Sequence, residues 1–476
     1  MVLDKDRRNT TFNVVLDKGG RYNIFKEVLD KEGRYNIFIE VFDKDGRNNV
    51  LGMILVFAFC CLYALSVTYL LPDSYYVYST PVISYEKDFS ILRSVLCVLI
   101  NEALFVYTCT VKTDKTIIDY GIRFLYIFYC LPTIMSFCLF SHRYFISFFI
   151  CFIVYWLILC FACKNINIGI EISGLSFTQS KVYRSVVSLI MFGGFVYYIV
   201  SSTGNFSFSI TLDDVYETRA LFKEGTNDII VFLKSALGGF LFPCLIVSYI
   251  RKRNKALTIL FTFLQLIMFS LAKDKAYLFL VLAAYGFAFF FKMIEERNRS
   301  VNTILAGGCA ITALSLFGVL ENLLYNIIVR RFFVIPSWLN YVYYDYFYNN
   351  PKIWWRQDTF LIDKLFTPVY SDSVPVMIGK EYFGSRVTNP NAGMFAEAFS
   401  RCGYLGIIIY PLLLAFLLNL MQSVYKDTDK SVLIMMAFTL SISLENDIIT
   451  STSFVFVFVI ILAFSFAFKN TGGELR

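Results

Sequence analysis

The sequence predicts an all-α, polytopic integral membrane protein of about twelve transmembrane helices with a large outer loop. Three observations predict it. Of 476 residues, 57% are hydrophobic and only 17% charged, and the mean hydropathy is +0.61, far to the apolar side of soluble chains. Apolar runs of bilayer length recur along the chain, each bounded by charge. Those runs are apolar on every side, as in "FFICFIVYWLILCFAC" (148–163), whereas membrane-barrel strands alternate apolar and polar residues.

A bilayer core about 30 Å thick requires roughly 20 apolar residues per helix. Runs of that kind lie at 50–71, 90–111, 117–139, 144–163, 185–203, 229–250, 256–272, 276–292, 301–320, 404–425, 431–447 and 452–468. Basic residues cluster in "RKRNK" (251–255) and "KMIEERNR" (292–299), at Lys164, Lys181 and Arg184, and at Lys426 and Lys430. With twelve spans these fall on one side, expected to be cytoplasmic. The connection "PDSYYVYSTPVISYEKDF" (72–89) is poor in basic residues and falls opposite. The expected organisation is a cytoplasmic arm (1–49), nine helices (50–320), a large outer loop (321–403), three helices (404–470) and a cytoplasmic tail (471–476). The first apolar run is too long for the core of a cleavable leader, so it is expected to act as its own insertion signal.

The arm carries four tandem copies: "VLDKDRRNTTFNV", "VLDKGGRYNIFKE", "VLDKEGRYNIFIE" and "VFDKDGRNNV", with Asp4, Asp17, Asp30 and Asp43 in register. It reads as a partly ordered appendage in which "RYNIFIEVF" alternates well enough for a strand. Its acids and bases nearly balance, which argues against a nucleic-acid partner. Most of the twelve cysteines fall inside apolar runs and read as small packing residues.

Cationic residues gather in the outward half, in segments far apart in sequence. They are Arg219, Lys234, Lys273 and Lys275 of "KDK", Arg330 and Arg331 of "VRRFFVIPSW", and Arg401, with the acids Glu397, Glu445 and Asp447 nearby. Such groups beside lipid call for an anion, and a phosphate or pyrophosphate suits several guanidinium forks best. Any one of them also has a plainer reading as a charge snorkelling from a helix end. The stretch "SWLNYVYYDYFYNNPKIWW" (337–355), with Tyr344 at its centre, offers aromatic faces for sugar rings or for the headgroup level. Asn389, Asn391 and Gly393 suit a bend leading to Glu397 and Arg401, which stand four residues apart and so share a helix face. That spacing fits a structural ion pair as well as a catalytic carboxylate. The only histidine, His142, falls in a short outer turn. No phosphate-binding glycine loop or metal-ligand cluster is visible, so neither a nucleotide cofactor nor a metal is expected.

The combination of "DVYETR", "SLAKDKAYLFL", "VRRFFVIPSWLNYVYYDYF", "IGKEYFG" and "NPNAGMFAEAFSRCGYLGIIIYPLL" resembles the Wzy-type O-antigen polymerases, also called oligosaccharide repeat unit polymerases. The resemblance covers 50–470 in span pattern and 213–411 in motif. It implies a C-type glycosyltransferase-like fold and a multi-pass enzyme of the bacterial inner membrane. The implied reaction joins repeat units carried on undecaprenyl pyrophosphate at the outer face. Membrane lipid and a chain-length regulator are the implied partners. Arg219, Lys234, Lys273, Lys275, Arg330, Arg331, Tyr344, Asn389, Asn391 and Arg401 would then bind substrate, and Glu397 would act as base or orient the acceptor. An O-antigen ligase and a lipid-linked oligosaccharide flippase are the alternatives.

Overall fold

The computed structural model describes residues 44–71, 75–77, 80–82, 88–140, 144–166, 180–202, 228–272, 275–295, 297–318, 324–359, 362–384, 390, 393–446 and 449–468. The repeat-bearing arm before residue 44 lies outside them, as does His142.

The chain is an all-α, multi-pass membrane protein. Helices fall on all twelve apolar runs. Among the described residues seven are long and apolar enough to cross a membrane: α1 (Asn48–Leu70), α2 (Ile91–Cys109), α3 (Thr116–Leu139), α4 (Ile146–Asn165), α5 (Lys181–Ser201), α6 (Ile229–Arg251) and a later one, Tyr404–Val424. The other runs hold shorter or more polar helices. These are α7 (Lys255–Ala272), α8 (Lys275–Phe289), α9 (Arg297–Leu316), and two near the end, Lys430–Asn446 and Thr452–Ala463. Between α1 and α2 stands a two-stranded antiparallel ribbon, Tyr75–Val77 with Thr80–Val82, which the hydropathy pattern does not announce.

The segment expected as an outer loop opens with a long helix packed into the bundle. It runs through Tyr325–Val334 into α10 (Ile335–Asn349). Tyr325, Val329, Phe333, Asn340, Tyr344 and Phe347 recur at helical spacing and are all buried. Two further helices follow, α11 (Val374–Phe383) and α12 (Met394–Cys402), and then α13 (Tyr404–Val424), α14 (Lys430–Asn446) and α15 (Thr452–Ala463). Helix α3 is almost wholly enclosed, with α14, α2 and α10 against it, while α4 packs on α13 and α9 on α1.

Prolines shape three of these helices. Tyr126–Cys130, Leu237–Leu241 and Tyr325–Val334 are wound as π-helix, and each ends just before a proline: Pro132, Pro243 and Pro336. A proline inside a helix removes an N–H donor and presses its ring on the preceding turn. Widening that turn accommodates the ring without breaking the helix.

Glycines mark the closest backbone approaches. A Cβ on Gly393 would sit 2.5 Å from the carbonyl oxygen of Glu445 and 2.8 Å from the Tyr129 ring, so the entry to α12 can press on α14 and α3 only without a side chain. Gly286, on α8, has nothing within 4 Å of such a Cβ. Gly393→Ala is therefore expected to cost roughly 1–3 kcal/mol, whereas Gly286→Ala is neutral or stabilising by up to about 1 kcal/mol. Thermal unfolding of the two variants in detergent, ranked against the parent, is the measurement. Equal melting temperatures would contradict the close approach.

Candidate functional site

Helix α12 holds a dense polar construction. Glu397 and Arg401 lie one turn apart on its buried face, with side-chain exposures of 0% and 1%. Arg401 Nε stands 3.4 Å from Glu397 Oε1. The rest of the guanidinium faces a loop that precedes it by more than 40 residues. Nη1 donates to the Gln357 carbonyl (2.7 Å) and to Thr359 Oγ1, and Nη2 donates to the Asp358 carbonyl (2.8 Å).

Glu397 is satisfied from the opposite direction. Oε2 accepts from the Ile449 amide (2.6 Å), and Oε1 accepts from the Thr450 amide (3.1 Å) and hydroxyl (2.6 Å). Burial pushes the Glu397 carboxyl above the usual carboxylate range, against the opposing pull of Arg401 and the donors at Thr450 and Ile449. One helix turn thus clamps the loop 357–359 on one side and the turn 449–450 on the other.

The clamped loop is strained. Trp354, Trp355 and Asp358 have φ of 47°, 59° and 53°. Aspartate tolerates that region, but for a bulky side chain it costs about 1–3 kcal/mol. The loop is pinned where it bends. Ile353 and Trp354 donate their amides to the carbonyls of Ser400 and Arg401 (3.1 and 3.0 Å), and Trp355 Nε1 donates to Tyr410 Oη (3.0 Å). Asp358 Oδ2 accepts from the Val374 amide (2.9 Å) at the start of α11, and Gln357 Oε1 accepts from the Tyr370 amide (3.1 Å).

Beneath α12 lies a buried polar chain. Tyr129 Oη, on the π-wound part of α3, accepts from the Phe395 amide (2.9 Å) and donates to Asn340 Oδ1 (2.7 Å), whose Nδ2 donates to Thr133 Oγ1 (3.3 Å). Tyr343 Oη donates to the Pro390 carbonyl (2.8 Å). Glu445 of α14 is 1% exposed, and among the described residues neither of its carboxyl oxygens has a hydrogen-bond partner.

The sequence-expected residues distribute unevenly. Glu397 and Arg401 come together as their spacing required. Tyr344 is fully buried, stacked on Phe399 at 4.2 Å with its hydroxyl against Ser147 Oγ, so its ring packs inside the bundle. Lys234 lies over the Tyr277 ring at 5.7 Å. Arg330 is half-buried and donates to Asn326 Oδ1 (3.2 Å), and Arg331 is exposed. Lys275 opens α8, and Arg219, Lys273, Asn389, Asn391 and Asp447 lie outside the described residues, as does the Lys275 side chain. Thr359, Thr450, Tyr129 and Asn340 are central here and carry no signal in sequence, because their partners come from distant segments. Among the described residues no group of three or more His, Cys, Asp or Glu side chains is placed to hold a metal ion.

Compared with protein-family models, with curated proteins and with solved structures, the chain matches none.

The clamp makes a prediction about coupling. Arg401→Ala strands a buried carboxylate and three loop acceptors, and is expected to cost about 3–5 kcal/mol. Glu397→Gln is expected to cost about 1–3 kcal/mol, because one amide cannot accept from every donor at 449–450. Exchanging the charges (Glu397→Arg with Arg401→Glu) should not restore stability, since a carboxylate would then face the acceptors of the loop. Denaturation midpoints of the single and double variants decide, and full recovery in the exchanged protein would refute the clamp.

Proposed function

We propose that the chain polymerises oligosaccharide repeat units carried on undecaprenyl pyrophosphate into an O-antigen or related surface polysaccharide. The reaction takes place at the outer face of the bacterial inner membrane, in a C-type glycosyltransferase-like bundle of about twelve spans with 321–403 on the outer side. The observation that carries this reading is the Glu397–Arg401 clamp. It lies in the segment with the most specific resemblance to the polymerase family, and it ties α12 to the aromatic loop 353–359. A scaffold of that kind holds an outer loop in one conformation beside a membrane helix, as positional control of two lipid-linked substrates requires.

Chemically, the leaving group is a lipid pyrophosphate. Its developing charge is met by the outward cations Arg219, Lys234, Lys273, Lys275, Arg330 and Arg331, without a nucleotide or a metal. Asn389 and Asn391 lead into the site. The attacking sugar hydroxyl needs a proton acceptor. Glu397 can serve only by releasing Ile449 and Thr450, so its first role is to position the acceptor side of the site. Glu445, with both carboxyl oxygens uncommitted, is the alternative acceptor. The loop 321–403 contains no histidine, which separates this reading from a ligase of the same fold class.

Deleting the gene should leave surface glycan as single capped repeats. Intact chains missing from the final acceptor would indicate a ligase, and repeat units trapped inside a flippase. Within the polymerase reading, Ala at Arg219, Lys234, Arg330 and Arg331 together should reduce polymer at least tenfold, since a desolvated charge contact is worth about 2–5 kcal/mol. A normal glycan ladder from a stably expressed quadruple variant would eliminate the proposed phosphate site. A cysteine at position 350 should react with an impermeant thiol reagent from outside, and reaction only after permeabilisation would overturn the orientation.

A further inference from the structure

Two consecutive tryptophans in left-handed backbone invite the question of what each returns for its strain. Trp355 answers within the fold, since its ring packs against the core and its indole N–H is bonded to Tyr410. Trp354 does not. Its φ is 47°, its amide is pinned to the Arg401 carbonyl at 3.0 Å, and its side chain remains 50% exposed. A glycine or asparagine would take the same backbone with less strain. The clamp on 357–359 therefore keeps a costly conformation whose visible result is an indole face held outward, with the exposed Arg356 two residues on.

We propose that Trp354 is the stacking platform for a sugar ring of the acceptor glycan. The inference rests on the polymerase reading and deepens it, because it places the acceptor subsite beside the Arg401 loop. It also assigns the aromatic role that the sequence suggests for Tyr344 to a residue whose face is open. A pyranose offers an apolar face of C–H groups to a flat indole and hydroxyls around its rim, and a guanidinium at Arg356 reaches hydroxyl oxygens at that rim. Because the backbone that carries the ring is pinned before substrate arrives, little main-chain ordering is lost on binding.

The test uses the full-length protein in detergent. The probe is oligosaccharide released by mild acid from the surface polysaccharide of the cells that carry the gene. Calorimetric affinity should fall at least tenfold in Trp354→Ala and stay within about threefold in Trp354→Tyr, which keeps a stacking face. Both variants should melt within a few degrees of the parent, as suits a half-exposed side chain. Unchanged affinity in Trp354→Ala overturns the proposal, and so does equal loss in Ala and Tyr variants. In vesicles, quenching of Trp354 emission by brominated phospholipid, read as the difference from Trp354→Phe, would assign the ring to the headgroup region and overturn it as well. Failure of the polymerase reading is seen separately, as a normal glycan ladder in the deletion strain, and leaves the binding result standing.

Discussion

Burying a guanidinium among apolar helices costs several kcal/mol unless nearly every donor finds an acceptor. Arg401 is compensated by hydrogen bonds from Nη1 and Nη2 to two backbone carbonyls and a hydroxyl of 357–359 and by an ion pair of Nε with the Glu397 carboxylate on its own helix. The consequence reaches beyond the pair. Because Glu397 is held in turn by Ile449 and Thr450, the loop before α11, the helix α12 and the turn before α15 are set by one charge. None of the three can move far without exposing an uncompensated ion. The strained backbone at Trp354, Trp355 and Asp358 persists for the same reason: the clamp over-determines it.

The clamp needs a firm support, and the proline-terminated π segments supply part of it. In α3 the widened turn carries Tyr129, whose hydroxyl receives the Phe395 amide in the first turn of α12 and binds Asn340 of α10. Gly393 allows that first turn to touch both Tyr129 and the end of α14. The polar construction on α12 is thus seated on the most deeply enclosed of the candidate spans. Buried hydrogen bonds of this kind stabilise modestly, but leaving them unmade is expensive, so they select one packing of α3, α10 and α12.

Much of this was legible in the sequence, for definite reasons. A run of about 20 apolar residues has one way to satisfy its backbone in lipid, so helices fall on all twelve runs. Spacing of four placed Glu397 and Arg401 on one face. The helix at 325–349 was harder to see because Arg330, Arg331, Asn340 and several tyrosines lower its hydropathy, although its buried positions recur with helical period. The buried packing of Tyr344 was not legible for a related reason: a tyrosine suits a sugar face and a packed core equally well, and only tertiary contacts show which surroundings it has. The acceptors of Arg401 and the donors to Glu397 stand more than 40 residues away, beyond the reach of any local pattern.

The two buried carboxyls separate structure from chemistry. Glu397 has accepted three hydrogen bonds and faces a guanidinium, so its lone pairs are spent on holding the loop and the turn together. Glu445, whose backbone carbonyl lies against Gly393 at the entry to the same helix, has no such obligations among the described residues. A buried polar group without a partner is a cost that a purely structural residue gives the fold no reason to bear. The carboxyl that holds the loop and the turn together and the carboxyl without hydrogen bonds among the described residues are therefore different residues, and the backbone contact at Gly393 ties the helices that carry them.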